Sequence, residues 1–393
     1  MNSESNPKLQ SILKRIKEDG FDFLSIYQQY LTESQVSIRS FLKSFRLRMS
    51  KQVKGKKKIY LDTKYWIRLR EVFMGVAHNA EDKQIFEIIN RLVNDKKIII
   101  PLSSALYAEL FLQKDLSTRK ATAKLMDMFS GGIGIDYDYD LFTNEIIYLF
   151  TKYTHKELHV ERDDFCWVSI GQIIGQSYLS NTILEKNQEL AFQKALIDMQ
   201  SHLKMIDLLD LLEEREHDSY NSDKERLASK LNSDEESLNH SKDDFKKIFM
   251  DEISGMVSLS EPFVIKAMSI IFEEVYGSLP EKEEPESVAG MMNMIYNMFK
   301  YEKINDEMPA YRILAGLNAN VRCGLNKIKF EANDFDDFRH AALSLPYYDY
   351  FFTENNLSHL LNHKPTNYAT LFNTIVKSKS KDVLEELKAL LYI

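Results

Sequence analysis

Lys57-Lys58-Ile59-Tyr60-Leu61-Asp62-Thr63-Lys64-Tyr65-Trp66 joins two periodicities within a few residues. The short apolar run from Ile59 to Leu61 reads as a buried strand, and it ends on an acid. From Tyr65 onward, Leu69, Val72, Phe73 and Val76 place apolar side chains on one helix face, which Gly75 weakens near its end. Strand, carboxylate and helix in succession set Asp62 at the carboxyl end of a buried strand, where open α/β sheets collect ligands. Asp and Thr are also ordinary helix N-caps, so the meaning of Asp62 depends on what other segments bring to it.

Downstream, Ile85, Ile88, Ile89, Leu92 and Val93 mark a second helix that Asn94-Asp95 closes. Ile98-Ile99-Ile100-Pro101-Leu102 is a continuous apolar run of the kind a buried parallel strand requires. Ser103-Ser104 follows as an N-cap pair, and the helix it opens carries Glu109 in its second turn. Two strands that each lead into a helix predict a parallel sheet with helical crossovers. Residues 130–136 read as a turn into a further short strand, without the spacing of a dinucleotide fingerprint or the lysine of a phosphate loop.

Residues 142–325 predict helices and no strand, with helical periods at 146–150, 192–212, 263–272 and 291–299. Polar stretches at 213–241, 281–285 and 305–309 interrupt them and read as solvated surface. The α/β pattern returns at Phe330 with a helix over 331–343 that Asp334 caps and that carries Asp337. Tyr350-Phe351-Phe352 predicts a buried strand, preceded by Asp349 and followed by Thr353-Glu354-Asn355 and a helix around 357–361. Val383, Leu384, Leu387, Leu390 and Leu391 form a last amphipathic helix. Upstream, Leu9, Ile12, Leu13 and Ile16, then Phe21, Leu24 and Tyr27 after the Asp19-Gly20 break, predict helices, with a linker at 50–55.

The bulk composition is that of a globular chain of 393 residues, 44% hydrophobic and 28% charged, whose 13 Gly and 8 Pro favour helix over an all-β plan. Two distant cysteines, Cys166 and Cys323, allow neither a disulfide framework nor a thiolate zinc site and suit a reducing cytosol. No membrane or secretion signal is expected, since no basic n-region opens the chain and no apolar stretch is long enough to span a bilayer. Residues 1–58 carry 13 Lys and Arg against 5 Asp and Glu, a surplus of 8 in a chain of net charge -8, so the remainder carries -16. That basic arm either neutralises nucleic-acid phosphates or packs on an acidic body.

Acids therefore follow three predicted strands, as Asp62, Glu109 and Glu354, with Asp337 near a helix start and Asp349 before the last strand. Carboxylates crowded at one sheet edge repel unless a cation sits among them, and hard oxygen donors select Mg²⁺ or Mn²⁺. A pair of such ions can clamp a phosphodiester and activate water.

The ordered motifs Ile59-Tyr60-Leu61-Asp62-Thr63, Pro101-Leu102-Ser103-Ser104 with Glu109, Asp337-Phe338-Arg339-His340-Ala341-Ala342, and Asp349 through Thr353-Glu354 resemble those of PIN-domain nucleases. The resemblance covers roughly residues 57–140 and 330–375. It implies a three-layer fold, a parallel sheet flanked by helices, arranged as a basic helical N-terminal arm at 1–56, a first PIN-like part at 57–141, a helical insertion at 142–329 and a second part with the C-terminal helix at 330–393. It further implies a Mg²⁺- or Mn²⁺-dependent endoribonuclease acting on RNA rather than DNA, with Asp62, Glu109, Asp337 and Glu354 as catalytic metal ligands and Asp349 in support. Many relatives have Thr-x-Asp where this chain has Thr353-Glu354-Asn355, so either Glu354 or Asn355 fills the fourth position. Thr63, Lys64, Arg68, Ser103, Thr353 and Asn355 are the candidate substrate contacts.

Other readings stand beside this one. A haloacid-dehalogenase-type phosphatase needs a second Asp two residues after the first, where this chain has Lys64. A catalytically impaired scaffold would bind a protein or nucleic acid, or a second copy of itself, through the insertion. A role in a toxin or phage-defence system follows by family analogy alone. His155 and His159 are spaced as a zinc pair but lack a Glu in the His-Glu-x-x-His place, and His340 reads as a packed core histidine.

Overall fold

The computed structural model describes residues 7–32, 36–175, 182–211, 218–236, 245–277, 285–304, 306–323 and 329–392. The chain forms two compact units. The first is Met1–Tyr137, Asp163–Arg215 and Leu384–Ile393; the second is Asp138–Arg162 and Glu216–Val383. These units group the chain differently from the expected parts bounded at 56, 141 and 329. The N-terminal arm belongs to the first unit, and the predicted helical insertion is divided between both.

In the first unit α1 (Pro7–Glu18), α2 (Phe23–Thr32) and α3 (Ile38–Val53) make up the arm. Ile12, Ile16 and Phe21 are buried and pack with Met199 and Leu203, so the arm is part of the core. α3 runs through Val53, which shortens the expected linker to a turn at Gly55, whose φ of +82° suits glycine. β1 (Lys57–Leu61) passes from exposed to fully buried along its length. α4 (Thr63–Phe73) buries Tyr65, Trp66 and Leu69, whereas Val76 lies beyond the helix end and is 54% exposed. α5 (Ala80–Asn94) returns the chain to β2 (Ile98–Ile99), which pairs with β1 in parallel, Lys57 opposite Ile98.

α6 (Ser104–Phe111), α7 (Leu116–Ser130) and β3 (Ile133–Ile135) follow. α8 (Asp138–Tyr153) starts the second unit, after which the chain re-enters the first as β4 (Trp167–Ser169), antiparallel to β3. β4 corrects the expectation that 142–325 holds no strand. The period over 192–212 likewise proves to be two helices, α9 (Lys186–Gln200) and α10 (Met205–Leu211). Asp127 on α7 accepts from the Met205 and Ile206 amides and so satisfies the start of α10.

The second unit continues with α11 (Asp218–Glu236), α12 (Phe245–Ser258), α13 (Glu261–Tyr276), α14 (Pro285–Lys300) and α15 (Pro309–Arg322). α8 and α12 to α15 bury a shared core that includes Leu149, Ile253, Val264, Ile295 and Tyr311. α11 occupies part of the stretch expected to be a polar break; 281–284 and 305 lie outside the described residues. α16 (Asp334–Ser344), β5 (Tyr350–Phe352), α17 (Asn355–Asn362), α18 (Tyr368–Leu371) and β6 (Ile375–Lys377) complete it, with β6 parallel to β5. The last helix, α19 (Ser380–Leu390), carries the chain back to the first unit, where the Leu391 carbonyl accepts from Lys97 Nζ at 2.7 Å. The protein is thus a mostly helical α/β chain with parallel strand pairing in each unit. No single described helix is long and apolar enough to cross a membrane.

Candidate metal centre

Ile59, Tyr60 and Leu61 are at most 1% exposed, which fixes the end of β1 in the interior of its unit. The chain leaves that end at Asp62, which is extended (φ -66°, ψ 158°) and only 4% exposed. Its Oδ1 accepts from the Thr63 amide at 2.6 Å, so Asp62 rather than Thr63 is the N-cap of α4. Thr63 is left with a free choice for its hydroxyl, and this donates to Glu109 Oε2 on α6.

The position of Glu109 depends on the start of α6. Ser103, fully buried, accepts from the Leu106 amide at 3.2 Å and shares a 2.7 Å hydrogen bond with the Tyr60 hydroxyl. β1 and the head of α6 are thereby joined, and Glu109 lies farther along that helix. Carboxylate oxygens of Asp62 and Glu109 come within 4.8 Å of each other. Two oxygens at that spacing can both reach a Mg²⁺ or Ca²⁺-sized cation at roughly 2.0–2.6 Å, and a cation offsets the repulsion of two partly desolvated carboxylates. The donor set fits a hard divalent ion.

The other predicted residues of this unit surround the pair in different ways. Lys64 Nζ lies over the Tyr65 ring at 5.7 Å, and the Arg68 guanidinium shares that ring at 5.7 Å while facing Asp82 at 3.6 Å. Ser103 is committed to capping and to Tyr60. The sequence reading missed the Tyr60 hydroxyl and the two-sided role of Thr63. Both were visible in the motif as polar groups flanking Asp62, although nothing in a spacing tells which acid a hydroxyl will meet.

The remaining predicted residues belong to the second unit. Asp337 sits half-buried in the first turn of α16, whose N-cap is Asn333 without a side-chain bond. The expected cap, Asp334, instead accepts from the Glu331 amide at 2.8 Å, and burial raises its carboxyl. Asp349 is half-buried, and its carbonyl accepts from the Ile375 amide at 2.9 Å. Thr353 is fully buried with its amide on the Lys377 carbonyl at 3.0 Å, while Glu354, the N-cap of α17, and Asn355 are exposed. Among the described residues of this unit, no three His, Cys, Asp or Glu side chains converge within 4.8 Å, Asp337, Asp349 and Glu354 included.

His340 is fully buried on α16. His155 Nδ1 faces Glu157 at 3.2 Å and His159 Nδ1 faces Thr151 at 3.2 Å across a one-turn helix, so the two histidines have different partners. Comparison of the chain with family models, with curated proteins and with solved structures finds no match.

Proposed function

We propose that this chain is a divalent-metal-dependent phosphodiesterase, an endoribonuclease of PIN-like plan, with Asp62 and Glu109 as its metal-binding core. The observation that carries the reading is the approach of these two carboxylates within 4.8 Å, with Thr63 donating its amide to one and its hydroxyl to the other. Bound Mg²⁺ or Mn²⁺ supplies a nucleophilic water at neutral pH and offsets charge on the phosphoryl oxygens. Asp62 and Glu109 hold the ion, and Thr63 holds their geometry. Lys64 and Arg68, on the first turns of α4, are the cations offered to a substrate phosphate.

Cleavage of single-stranded RNA, tRNA and single-stranded DNA, with EDTA and after Mn²⁺ is restored, tests this for wild type and Asp62→Asn. The expected result is RNA cleavage that EDTA abolishes, Mn²⁺ restores and Asp62→Asn loses. Cleavage that survives EDTA, or an active Asp62→Asn protein, overturns the metal reading. A chain that binds Mn²⁺ in calorimetry neither tightly nor through Asp62 would be the non-catalytic scaffold instead.

A further inference from the structure

α12 opens on Phe245-Lys246-Lys247-Ile248-Phe249-Met250, in which Ile248 is fully buried while Phe245 and Phe249 fall one turn apart. Their rings stack with centroids 6.2 Å apart, and both stay half-buried. α15 adds Arg312 in its first turn, with the guanidinium 6.0 Å from the centre of the Phe249 ring and 5.6 Å from that of the buried Phe299. Gly316, one turn later on α15, leaves no room for a β-carbon beside the Tyr368 hydroxyl, which donates to the Arg312 carbonyl at 2.8 Å. α18 is thereby held against α15. These segments, all within the second unit, line a pocket of about 560 Å³ that Asn367 and Leu371 also border. The volume falls within the roughly 300–1,000 Å³ of small-molecule sites.

The charge in this pocket is unbalanced. Arg312 Nη2 donates to the Ile304 carbonyl, but among the described residues Nη1 has no partner and no acid pairs with the guanidinium. Burial pulls its pKa down from the ordinary value, against the opposing effect of Tyr368, Glu307, Asp306 and Glu302, and an arginine remains charged at neutral pH. A partly buried cation is ordinarily paired. Lys246 and Glu302, both exposed, pair with each other at 2.6 Å, so their charges cancel and that of Arg312 is left over. The Thr366, Tyr368 and Thr370 hydroxyls are spent on the Leu360 carbonyl, the Arg312 carbonyl and Asn367 Oδ1. Asn367 Nδ2 has no partner among the described residues. A ligand here therefore meets apolar walls, one guanidinium edge and one amide NH₂. A carboxylate takes charge-assisted bonds from such donors. A phosphate dianion would bring a second charge toward Glu302 with no cation to meet it, and a neutral ligand would cover the guanidinium and leave it unpaired.

We propose that this pocket binds a small monocarboxylic acid, with its carboxylate on the Arg312 guanidinium beside Asn367 and its aliphatic or aromatic body against Phe245, Phe249 and Leu371. The site lies in the other unit from the metal centre and does not depend on the nuclease reading.

The test is calorimetry of the full chain at about pH 7.5, where carboxylates are ionised, with sodium octanoate, sodium 3-phenylpropionate, 3-phenylpropan-1-ol and phenyl phosphate as probes. One equivalent of at least one carboxylate is expected to bind, and the tighter of the two assigns the body as aliphatic or aromatic. The alcohol should bind about 10–100-fold more weakly than 3-phenylpropionate, the usual effect of losing hydrogen bonds to a charged group. Arg312→Gln should abolish that preference. Glu302→Gln, at an exposed position, frees Lys246 and should tighten the carboxylates about 2–5-fold, as for a surface charge, while leaving the alcohol unchanged. Leu371→Trp, also at an exposed position, should block every probe. Thermal unfolding reports whether each variant keeps the fold, and if Arg312→Gln does not, Glu302→Gln and Leu371→Trp decide the matter. Binding of neither carboxylate, an alcohol as tight as the acid, phenyl phosphate tighter than both carboxylates, or carboxylate affinity unchanged in Glu302→Gln and Leu371→Trp overturns the proposal. Failure of the nuclease reading shows only in the cleavage assay, which none of these titrations enters.

Discussion

On the metal-dependent reading proposed above, Asp62 has two jobs that substitutions can separate. As the N-cap of α4 it accepts a backbone hydrogen bond, and as a buried carboxylate facing Glu109 it offers charge to a cation. Asparagine caps as well as aspartate does, so Asp62→Asn should unfold in urea near the wild-type midpoint while losing Mn²⁺ affinity. Asp62→Ala should lose both, with a stability cost of about 1 kcal/mol from the cap. Thr63→Val removes only the hydroxyl bond to Glu109. Loss of such a ligand-orienting bond typically weakens a metal roughly 10–100-fold, and calorimetry of Thr63→Val beside Thr63→Ser measures it; equal affinity in both would make the hydroxyl a packing group. Asp62 was legible in the sequence because an apolar run ends on it and a helix starts after it. Its choice of partner was not, because Glu109 lies many residues away and only folding decides that the Thr63 hydroxyl reaches it.

At the scale of the element, the start of α15 depends on a helix far away in the chain. Glu145 on α8 is buried and accepts from the Ala310 amide at 3.0 Å and the Tyr347 hydroxyl at 3.2 Å. Burial raises its carboxyl from 4.5 to about 8, against the pull of the Ala310 amide and the Arg162 charge. The folded unit therefore holds this proton where the unfolded chain has released it. Its stabilising effect is full below about pH 4.5 and is lost as pH rises toward about 8. Glu145→Gln should flatten that decline, and urea midpoints for both proteins between pH 5 and pH 9 test it; parallel slopes would assign the pH dependence to other groups. Elements with a dense apolar stripe were legible, β1, α5 and α8 among them. β4 was not, because Trp167-Val168-Ser169 is too short to show a period, and in β6 only Val376 is buried. α11 read as a polar break because Ala228 is its one buried apolar side chain among those described. Polar ties hold it instead, Lys224 to Asp336 at 2.5 Å and Asn232 to both backbone groups of Phe330 at 2.9 Å.

On the scale of the molecule, the basic arm is structural first. Asp136 is fully buried, and Arg46 of α3 supplies a cation to it. Arg46→Met should destabilise the first unit by about 3–5 kcal/mol, the usual effect of stranding one member of a buried pair. Chemical denaturation followed through Trp66 and Trp167, both in that unit, reads the change; a loss below about 1 kcal/mol would mean the pair behaves like a surface one. Net charge made the arm conspicuous in the sequence but could not say which of its cations face inward. Of the two readings that competed there, packing on an acidic body describes Arg15, Arg46 and Arg48, which pair with Asp207, Asp136 and Asp198.

The bond between Lys97 and the carbonyl of Leu391 joins positions 294 residues apart. On a ribosome adding about 5–20 residues per second, roughly 15–60 s separate the appearance of these two groups. The first unit thus receives its segment Leu384–Ile393 only after Glu216–Val383 has been made. During that interval Lys97, between α5 and β2, lacks this acceptor. The first unit therefore acquires the bond between Lys97 and Leu391 only after Glu216–Val383 has been made.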